Sequence, residues 1–97
     1  LTSSSFQEDC LQSHNYYRQL ENKPPLQIRQ DLVDFAQYRA NSLSYYCSFN
    51  HDGNDGSGYG ENLSGYKNCR DAVKQWYDEK INYTMPIFTM DTGHYTQ

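Results

Sequence analysis

The sequence is poor in the aliphatic side chains from which most protein cores are built. Leu, Ile, Val and Phe supply 16 of its 97 residues, which is below the roughly one-fifth that separates typical globular chains from disordered ones. A chain of this length buries only about 60% of its unfolded surface. The net charge of −4 is modest, however, and ten Tyr with one Trp supply large rings that pack while keeping a polar tip in water. We therefore expect one folded domain, residues 1–97, whose thin core needs covalent or metal support.

The sequence also lacks the features of nucleic-acid-binding and membrane-spanning proteins. Its eight Lys and Arg residues are scattered singly, so no basic stripe is available to neutralise phosphates. No apolar run approaches the roughly 20 residues that cross a bilayer. These observations argue against a nucleic-acid partner and against a membrane span. The chain begins at Leu1 rather than Met, and we expect a leader to have been removed.

The three cysteines contain no CxxC pair, so they do not indicate a compact redox or zinc motif. In a secreted chain, an odd number of cysteines leaves one thiol whose partner lies elsewhere. In a cytosolic protein, all three would instead be reduced thiols. The cysteine count alone leaves both interpretations open.

Apolar residues at helical spacing predict three helices. The first runs from Phe6 to about Glu21 and ends before a Pro-Pro pair. Asp31 is expected to cap the second helix, and Asn68 the third. The predicted inward faces consist of Leu32, Phe35, Ala36, Ala40 and Leu43 in the second helix, and of Cys69, Ala72, Val73, Trp76, Tyr77 and Ile81 in the third.

The segments between and after these helices are predicted to be extended or irregular. Residues 50–60 are rich in Gly, Asn and Asp and are typical of a loop. Residues 60–66 are predicted to form a short strand, and Phe88 to Gln97 to be extended or a loop. Helices with a strand between them predict an α+β fold.

Five short segments, taken in order, resemble the CAP superfamily of cysteine-rich secretory, antigen 5 and pathogenesis-related-1 proteins. The resemblance covers nearly the whole chain, from about Phe6 to Gln97. Its segments are His14-Asn15-x-x-Arg18, Cys47-x-Phe49-x-His51, Gly60-Glu61-Asn62-Leu63, Trp76-Tyr77-Asp78-Glu79 and Gly93-His94-Tyr95-Thr96-Gln97.

This resemblance implies an α-β-α sandwich, of which the present chain holds the helices and the first strand. The family's domain continues into further strands past the second site histidine, so we expect the sheet to be truncated here. In related proteins, a cysteine just before the first site histidine commonly bridges to those later strands. The resemblance therefore implies that Cys47 lacks its partner within these 97 residues.

The resemblance also places a four-residue cleft at His51, Glu61, Glu79 and His94. Two neutral imidazoles suit zinc or another divalent cation, and two carboxylates suit its water or its outer shell. We expect His51 and His94 to be direct metal ligands, with Glu61 and Glu79 in the second shell or acting through water. The gaps of 10, 18 and 15 residues between the four match no short metal motif, so the site follows from the resemblance alone.

The function that the resemblance implies is that of a secreted binding protein with a lipid, sterol or protein partner. The alternative is a metal-assisted hydrolase, a protease or esterase, in which Glu61 or Glu79 serves as the base toward a metal-bound water. A scaffold with a vestigial cleft is the third interpretation. Two N-glycosylation sequons begin at Asn62 and Asn82, and Asn82 is expected to be the more accessible.

Several of these residues have a structural alternative. Glu61 could accept N–H groups of the adjacent loop, and Glu79 could be a solvated helix residue. His94 lies close to the last residue and is expected to fray unless it is tied down. His14 is interpreted as a hydrogen-bonded structural residue. A thiol dyad of Cys47 with His94 competes with the assignment of Cys47 to a disulfide.

Overall fold

The computed structural model describes residues 3–83 and 89–97, and all regular secondary structure in these ranges is helical. No helix in these ranges is long and apolar enough to cross a membrane. The elements are α1 (Ser4–Leu20), α2 (Gln30–Tyr45), α3 (Cys69–Asp78), two 3-10 turns (Glu79–Asn82 and Met90–Thr92) and the single helical turn α4 (Gly93–Thr96).

Side-chain caps start α1 and α3. The Ser3 hydroxyl accepts a hydrogen bond from the Phe6 N–H at 3.1 Å. The Asn68 Oδ1 likewise accepts from the Asp71 N–H at 2.8 Å. Each bond satisfies one of the free donors that a helix start leaves unpaired. The first predicted helix and the cap at Asn68 are thus confirmed.

The start of α2 differs from the prediction. The helix begins at Gln30, and Arg29 at the cap position makes no side-chain capping bond. Asp31 lies in the first turn, where its carboxylate pairs with the Arg29 guanidinium at 2.6 Å. A negative charge in the first turn interacts favourably with the positive end of the helix dipole. Asp31 therefore stabilises the start of this helix without capping it.

The predicted α+β sandwich is wrong, because residues 3–83 and 89–97 contain no strand. The segment 60–66 was expected to provide the first strand, but it forms no ladder with another segment. A strand needs a hydrogen-bonded neighbour. Here polar groups of the segment are satisfied otherwise: the Asn62 amide donates to the His94 carbonyl oxygen at 3.2 Å, and the Tyr66 N–H donates to Ser64 Oγ at 3.1 Å.

The last described segment is helical where an extended chain was expected. Met90–Thr92 forms a 3-10 turn and Gly93–Thr96 forms α4. The Glu79 carboxylate accepts two N–H groups at the start of α4, which stabilises that turn. Phe88, at which the extended segment was expected to begin, lies outside the described residues.

The helices α1 and α3 pack against each other and are joined by a disulfide between Cys10 and Cys69. Ala72 and Val73 on α3 are the buried apolar side chains in the described ranges, which confirms the thin core. Tyr17 on α1 stacks on Tyr77 on α3 with ring centroids 4.3 Å apart. Ile81 was expected on the inward face of the third helix, but it is 83% exposed because the chain changes to a 3-10 turn at Glu79.

The helix α2 contacts the irregular segment that follows it. Phe35 packs edge-on against Tyr59, with ring centroids 5.2 Å apart. Residues 50–60 form turns, as predicted, and the buried Asn54 organises them. Its amide donates to the Tyr59 carbonyl oxygen at 2.9 Å and its Oδ1 accepts from the Ser57 hydroxyl at 3.0 Å. These bonds hold the turn segment that carries His51.

Candidate functional site

The two histidines expected to bind metal line one cleft of about 480 Å³. His51 comes from the turn segment after α2, and His94 from the start of α4. Phe49, Leu63 and Gln75 contribute further walls. Each histidine is hydrogen-bonded to one of the two expected glutamates, so the structure arranges the four residues as two His–Glu pairs.

The first pair is formed by His51 and Glu61. The ring Nδ1 lies 2.8 Å from Glu61 Oε1, and the glutamate side chain is only 12% exposed. The turn after the histidine is held by the Asn54 N–H, which donates to the His51 carbonyl oxygen at 2.9 Å. Ring and backbone of His51 are therefore both anchored.

Glu61 also forms a two-point ion pair with Arg39 of α2. Arg39 Nε donates to Oε2 at 2.9 Å and Nη2 donates to Oε1 at 3.2 Å. Hydrogen bonds from Arg39, followed by the weaker contribution of His51, hold the pKa of Glu61 below its ordinary value of 4.5 against the opposing effect of burial. Glu61 is therefore an anion at neutral pH and a weak base.

The second pair is formed by His94 and Glu79. The ring Nδ1 lies 2.6 Å from Glu79 Oε2. The other carboxylate oxygen accepts the backbone N–H groups of His94 at 2.9 Å and of Tyr95 at 3.0 Å. The His94 ring also stacks on Trp76, with centroids 6.1 Å apart and planes inclined by 19°. These contacts tie down the histidine that was expected to fray.

The hydrogen bonds indicate which nitrogen of each ring is left available for a ligand. An ionised carboxylate only accepts hydrogen bonds, so Nδ1 of each ring carries the proton. In a neutral ring, Nε2 then carries the lone pair, and within residues 3–83 and 89–97 neither Nε2 has a hydrogen-bond partner. A histidine oriented from behind by a carboxylate is a common arrangement for zinc ligands, so the donor set fits a divalent cation.

This site differs from a closed metal centre. In the described ranges, no group of three or more His, Cys, Asp or Glu side chains is arranged to hold a metal. The two imidazoles would therefore supply the protein's direct ligands. Both carboxylates are already hydrogen-bonded to the Nδ1 atoms of these rings. Such a centre leaves coordination positions to water or to a ligand.

The structure decides between several alternatives for single residues. Glu79 is not a solvated helix residue, since its side chain is only 19% exposed and is bonded to His94. Glu61 accepts from Arg39 and His51 rather than from N–H groups of the adjacent loop. His14 is a structural residue, as predicted: its Nδ1 is hydrogen-bonded to the Cys10 carbonyl oxygen at 2.7 Å.

Cys47 has no disulfide partner in the structure, as predicted. Its thiol is free and exposed at the end of α2, while Cys10 and Cys69 are bridged. The Cys47 thiol donates a long hydrogen bond of 3.8 Å to the Ser44 carbonyl oxygen, and the His94 ring is bonded to Glu79. The Cys47–His94 dyad is therefore not formed.

Sequence reasoning missed Arg39 and Asn54, which are both buried polar residues that support His51. One signal was available for Arg39, because it lies four residues after Phe35 and four before Leu43, on the apolar face of the helix. A charged residue at an inward position needs a buried partner. Asn54 gave no such signal, since Asn is common in turns.

A second cavity, of about 870 Å³, lies beside the cleft and shares His94 with it. The volume is within the range typical of small-molecule sites. Leu26 and Val73 add apolar wall, and Arg18 adds a cation. Five aromatic side chains also line the cavity: Tyr17, Trp76, Tyr77, Tyr83 and Tyr95.

Comparison with known proteins gives one family. The model of the CAP, or cysteine-rich secretory protein, family matches residues 11–97. No solved protein structure gives a significant match.

Several curated proteins are similar to the chain over almost its whole length. Repressed by EFG1 protein 1 of Candida albicans is 38% identical over 95% of this chain and 35% of its own length. The human Golgi-associated plant pathogenesis-related protein 1 is 34% identical over 97% of this chain and 65% of its own length. Pathogenesis-related protein 1A of Nicotiana tabacum is 32% identical over 94% of this chain and 57% of its own length. The chain thus spans between about a third and two thirds of these relatives.

Proposed function

The chain belongs to the cysteine-rich secretory protein family, and we propose that it is an extracellular binding module whose cleft holds a divalent cation, with zinc the best fit. The observation that carries this proposal is that His51 and His94 line one cleft, each with Nδ1 bonded to a carboxylate. Neutral imidazole nitrogen is a good zinc ligand, and the carboxylate behind it fixes the ring. A bound cation would supply an electrophilic point for a ligand oxygen.

Calorimetric titration with zinc tests this proposal. We expect one weak site in the parent, near-complete loss in His51→Ala and in His94→Ala, and a roughly 10–100-fold loss in Glu79→Gln. His14→Gln is the matched control, because it removes a histidine that is bonded within α1. Circular dichroism melts identify any variant that is unfolded. Equal zinc affinity in the parent and in a folded His51→Ala would refute the proposed site.

The bonding of the two glutamates argues for the binding module over the metal-assisted hydrolase. A general base must be able to take a proton from water near neutral pH, and the pKa of Glu61 is held below its usual value by Arg39. Glu79 accepts hydrogen bonds from one ring and two backbone N–H groups. Hydrolysis of peptide or ester substrates that disappears in His51→Ala would nevertheless establish the hydrolase.

For the organic ligand, we propose a lipid or sterol bound in the aromatic cavity beside the cleft. The cavity has the size of a small-molecule site, and its aromatic walls suit an apolar body. Trp76 is the chain's one tryptophan and reports on this cavity by fluorescence. We expect fatty acid or sterol to change that fluorescence, with weaker binding in Tyr83→Ala and unchanged binding in Tyr16→Ala, whose ring is not in the wall. An unchanged signal at saturating ligand would favour the protein partner instead.

The extracellular location is supported by the disulfide between Cys10 and Cys69, because such bonds persist in oxidising compartments. Of the two sequons, we propose that Asn82 carries a glycan. Asn82 is exposed, whereas the Asn62 amide is bonded to the His94 carbonyl oxygen; Thr84, which completes the Asn82 sequon, lies outside the described residues. Peptide mass spectrometry of secreted protein should find the glycan at Asn82 and none in Asn82→Gln.

A further inference from the structure

Arg39 is a buried cation that is not itself one of the four residues of the proposed cation site. It lies in the middle of α2 and is 4% exposed, whereas Glu61, its ionic partner, lies 22 residues later in the chain. A guanidinium group is costly to bury unless its donors are satisfied. The positions of its partners therefore indicate what the residue does.

The guanidinium group of Arg39 binds two groups that adjoin His51, one at the ring and one in the backbone. Two nitrogens hold both oxygens of Glu61, which in turn bonds the His51 ring. Nη2 also donates to the carbonyl oxygen of Asn50, the residue before His51, at 2.8 Å. One side chain thus fixes the carboxylate behind the ring and the backbone that carries it.

The turn after His51 is built to accept this guanidinium group. A Cβ atom placed on Gly53 would overlap Nη1 of Arg39, and the glycine lacks that atom. The turn can therefore lie directly against the arginine. Planar two-point binding of a carboxylate is a geometry that Arg provides and Lys does not.

The two histidines are oriented by different means. Glu79 is held by backbone N–H groups of His94 and Tyr95, which belong to the same turn as the histidine it orients. Glu61 is held by a side chain from a separate helix. A change at Arg39 should therefore act on His51 and leave His94 as it is.

We propose that Arg39 is the positioning residue of His51: through Glu61 and the Asn50 carbonyl it holds the imidazole with Nδ1 protonated and Nε2 free for a ligand. The orientation of the ring is a property of the protein alone. The consequence for cation binding rests on the proposed function. Arg39 itself does not touch the ligand.

The direct test is nitrogen-15 NMR of the histidine side chains in metal-free protein at about pH 8, which is above the pKa of about 6.5 of a free imidazole. In the parent we expect His51 to carry its proton on Nδ1. In Arg39→Gln we expect a mixture of tautomers at His51, because Glu61 is no longer held, while His94 and His14 keep their parent spectra. Arg39→Lys keeps the charge but not the two-point geometry and should be intermediate.

Two outcomes would overturn the proposal. One is a folded Arg39→Gln or Arg39→Lys in which His51 keeps the parent tautomer. The other is an equal change at His51 and His94, which would show that Arg39 supports the fold in general. If Arg39→Gln does not fold, the comparison of His51 with His94 in Arg39→Lys decides the matter.

Zinc titration of the same variants tests the consequence for binding. We expect Arg39→Gln to bind zinc roughly 10-fold to 100-fold more weakly than the parent, which is the usual loss for a group that supports a metal ligand, and Arg39→Lys to show a smaller loss. Unchanged affinity in a folded Arg39→Lys would refute this consequence. If the parent itself binds no zinc, the proposed function fails, and the tautomer of His51 still decides the role of Arg39.

Discussion

At the scale of single residues, Glu21 shows how one carboxylate connects distant parts of the chain. Its Oε1 accepts hydrogen bonds from Lys80 Nζ and Tyr77 OH, both at 2.9 Å, and from Tyr95 OH at 3.4 Å. The bond from Lys80, followed by that from Tyr77, lowers the pKa of Glu21 below its ordinary value of 4.5. The end of α1 is thereby joined to α3, to the following 3-10 turn and to α4.

The lowered pKa of Glu21 predicts a loss of stability in acid. A carboxyl group whose pKa is lower in the folded state stabilises the protein above its unfolded pKa, and this contribution is lost as the pH falls through the folded pKa. We therefore expect Glu21→Gln to melt at a lower temperature than the parent at pH 7, with a difference that shrinks below pH 4.5. Thermal melts across this range measure the effect. A difference independent of pH would contradict the charge-based explanation.

Among the sequence-based expectations for single residues, those that depended on local chemistry were the most accurate. The structural role of His14 is one of these, and it is confirmed. The unpaired state of Cys47 is also confirmed, but that prediction came from the family resemblance. Arg39 was missed because its importance depends on Glu61, and helical periodicity does not identify a partner in a distant segment. The metal-binding role of His51 and His94 remains a prediction.

At the scale of elements, the helix α3 depends on its cap and on a reciprocal contact beside it. Asn68 Oδ1 accepts the Asp71 N–H at 2.8 Å, and Asn68 Nδ2 donates to Asp71 Oδ2 at 3.0 Å. This helix carries Cys69 and Trp76, and the next turn begins at Glu79. Fraying at Asn68 would therefore disturb the position of the disulfide at Cys69. It would also disturb the helix that leads to Glu79 in the second His–Glu pair.

Replacing the cap of α3 should destabilise the domain measurably. We expect Asn68→Ala to lower the free energy of unfolding by about 0.5–2 kcal/mol and Asn68→Asp to retain most of the stability, because Asp also caps well. Asn41→Ala in the exposed interior of α2 is the matched control and should cause no comparable loss, since Ala has the higher helix propensity. Urea unfolding measures all three. An equal loss in Asn41→Ala would show that the cap is not the cause.

At the scale of the whole molecule, the disulfide compensates for the thin core. It joins α1 to α3 across 59 residues of sequence, while Ala72 and Val73 are the buried apolar residues of the described ranges. Cross-linking residues this far apart removes about 4 kcal/mol of chain entropy from the unfolded state in the loop-closure model. A small domain with a net stability of about 5–15 kcal/mol depends heavily on such a term.

Removal of the disulfide is therefore expected to be the most damaging of these changes. In a Cys47→Ser background, which prevents thiol exchange, Cys10→Ser with Cys69→Ser should lower the free energy of unfolding by about 2–4 kcal/mol. Cys47→Ser alone should stay within about 0.5 kcal/mol of the parent, because its thiol is exposed. Denaturant unfolding provides the comparison. Full stability without the bridge would mean that packing, rather than the disulfide, holds α1 to α3.

The sequence by itself determined the helices that local signals encode. The first helix, the cap at Asn68 and the turns of residues 50–60 follow from periodicity, capping chemistry and turn residues, which all act within a few positions of the chain. Resemblance of short segments indicated the family, and the match over residues 11–97 shows it. These conclusions needed no knowledge of distant contacts.

Only the tertiary structure decided how the remaining residues are used. Residues 60–66 were predicted to form a strand, but a strand requires a partner segment, and here the Asn62 amide donates to the His94 carbonyl oxygen instead. The turn at Gly93–Thr96 depends on Glu79, which lies fourteen or more positions earlier in the chain. The support of His51 by Arg39 is likewise a long-range contact. Local sequence specifies local hydrogen bonds, whereas the burial and pairing of charges are set by which segments meet in space.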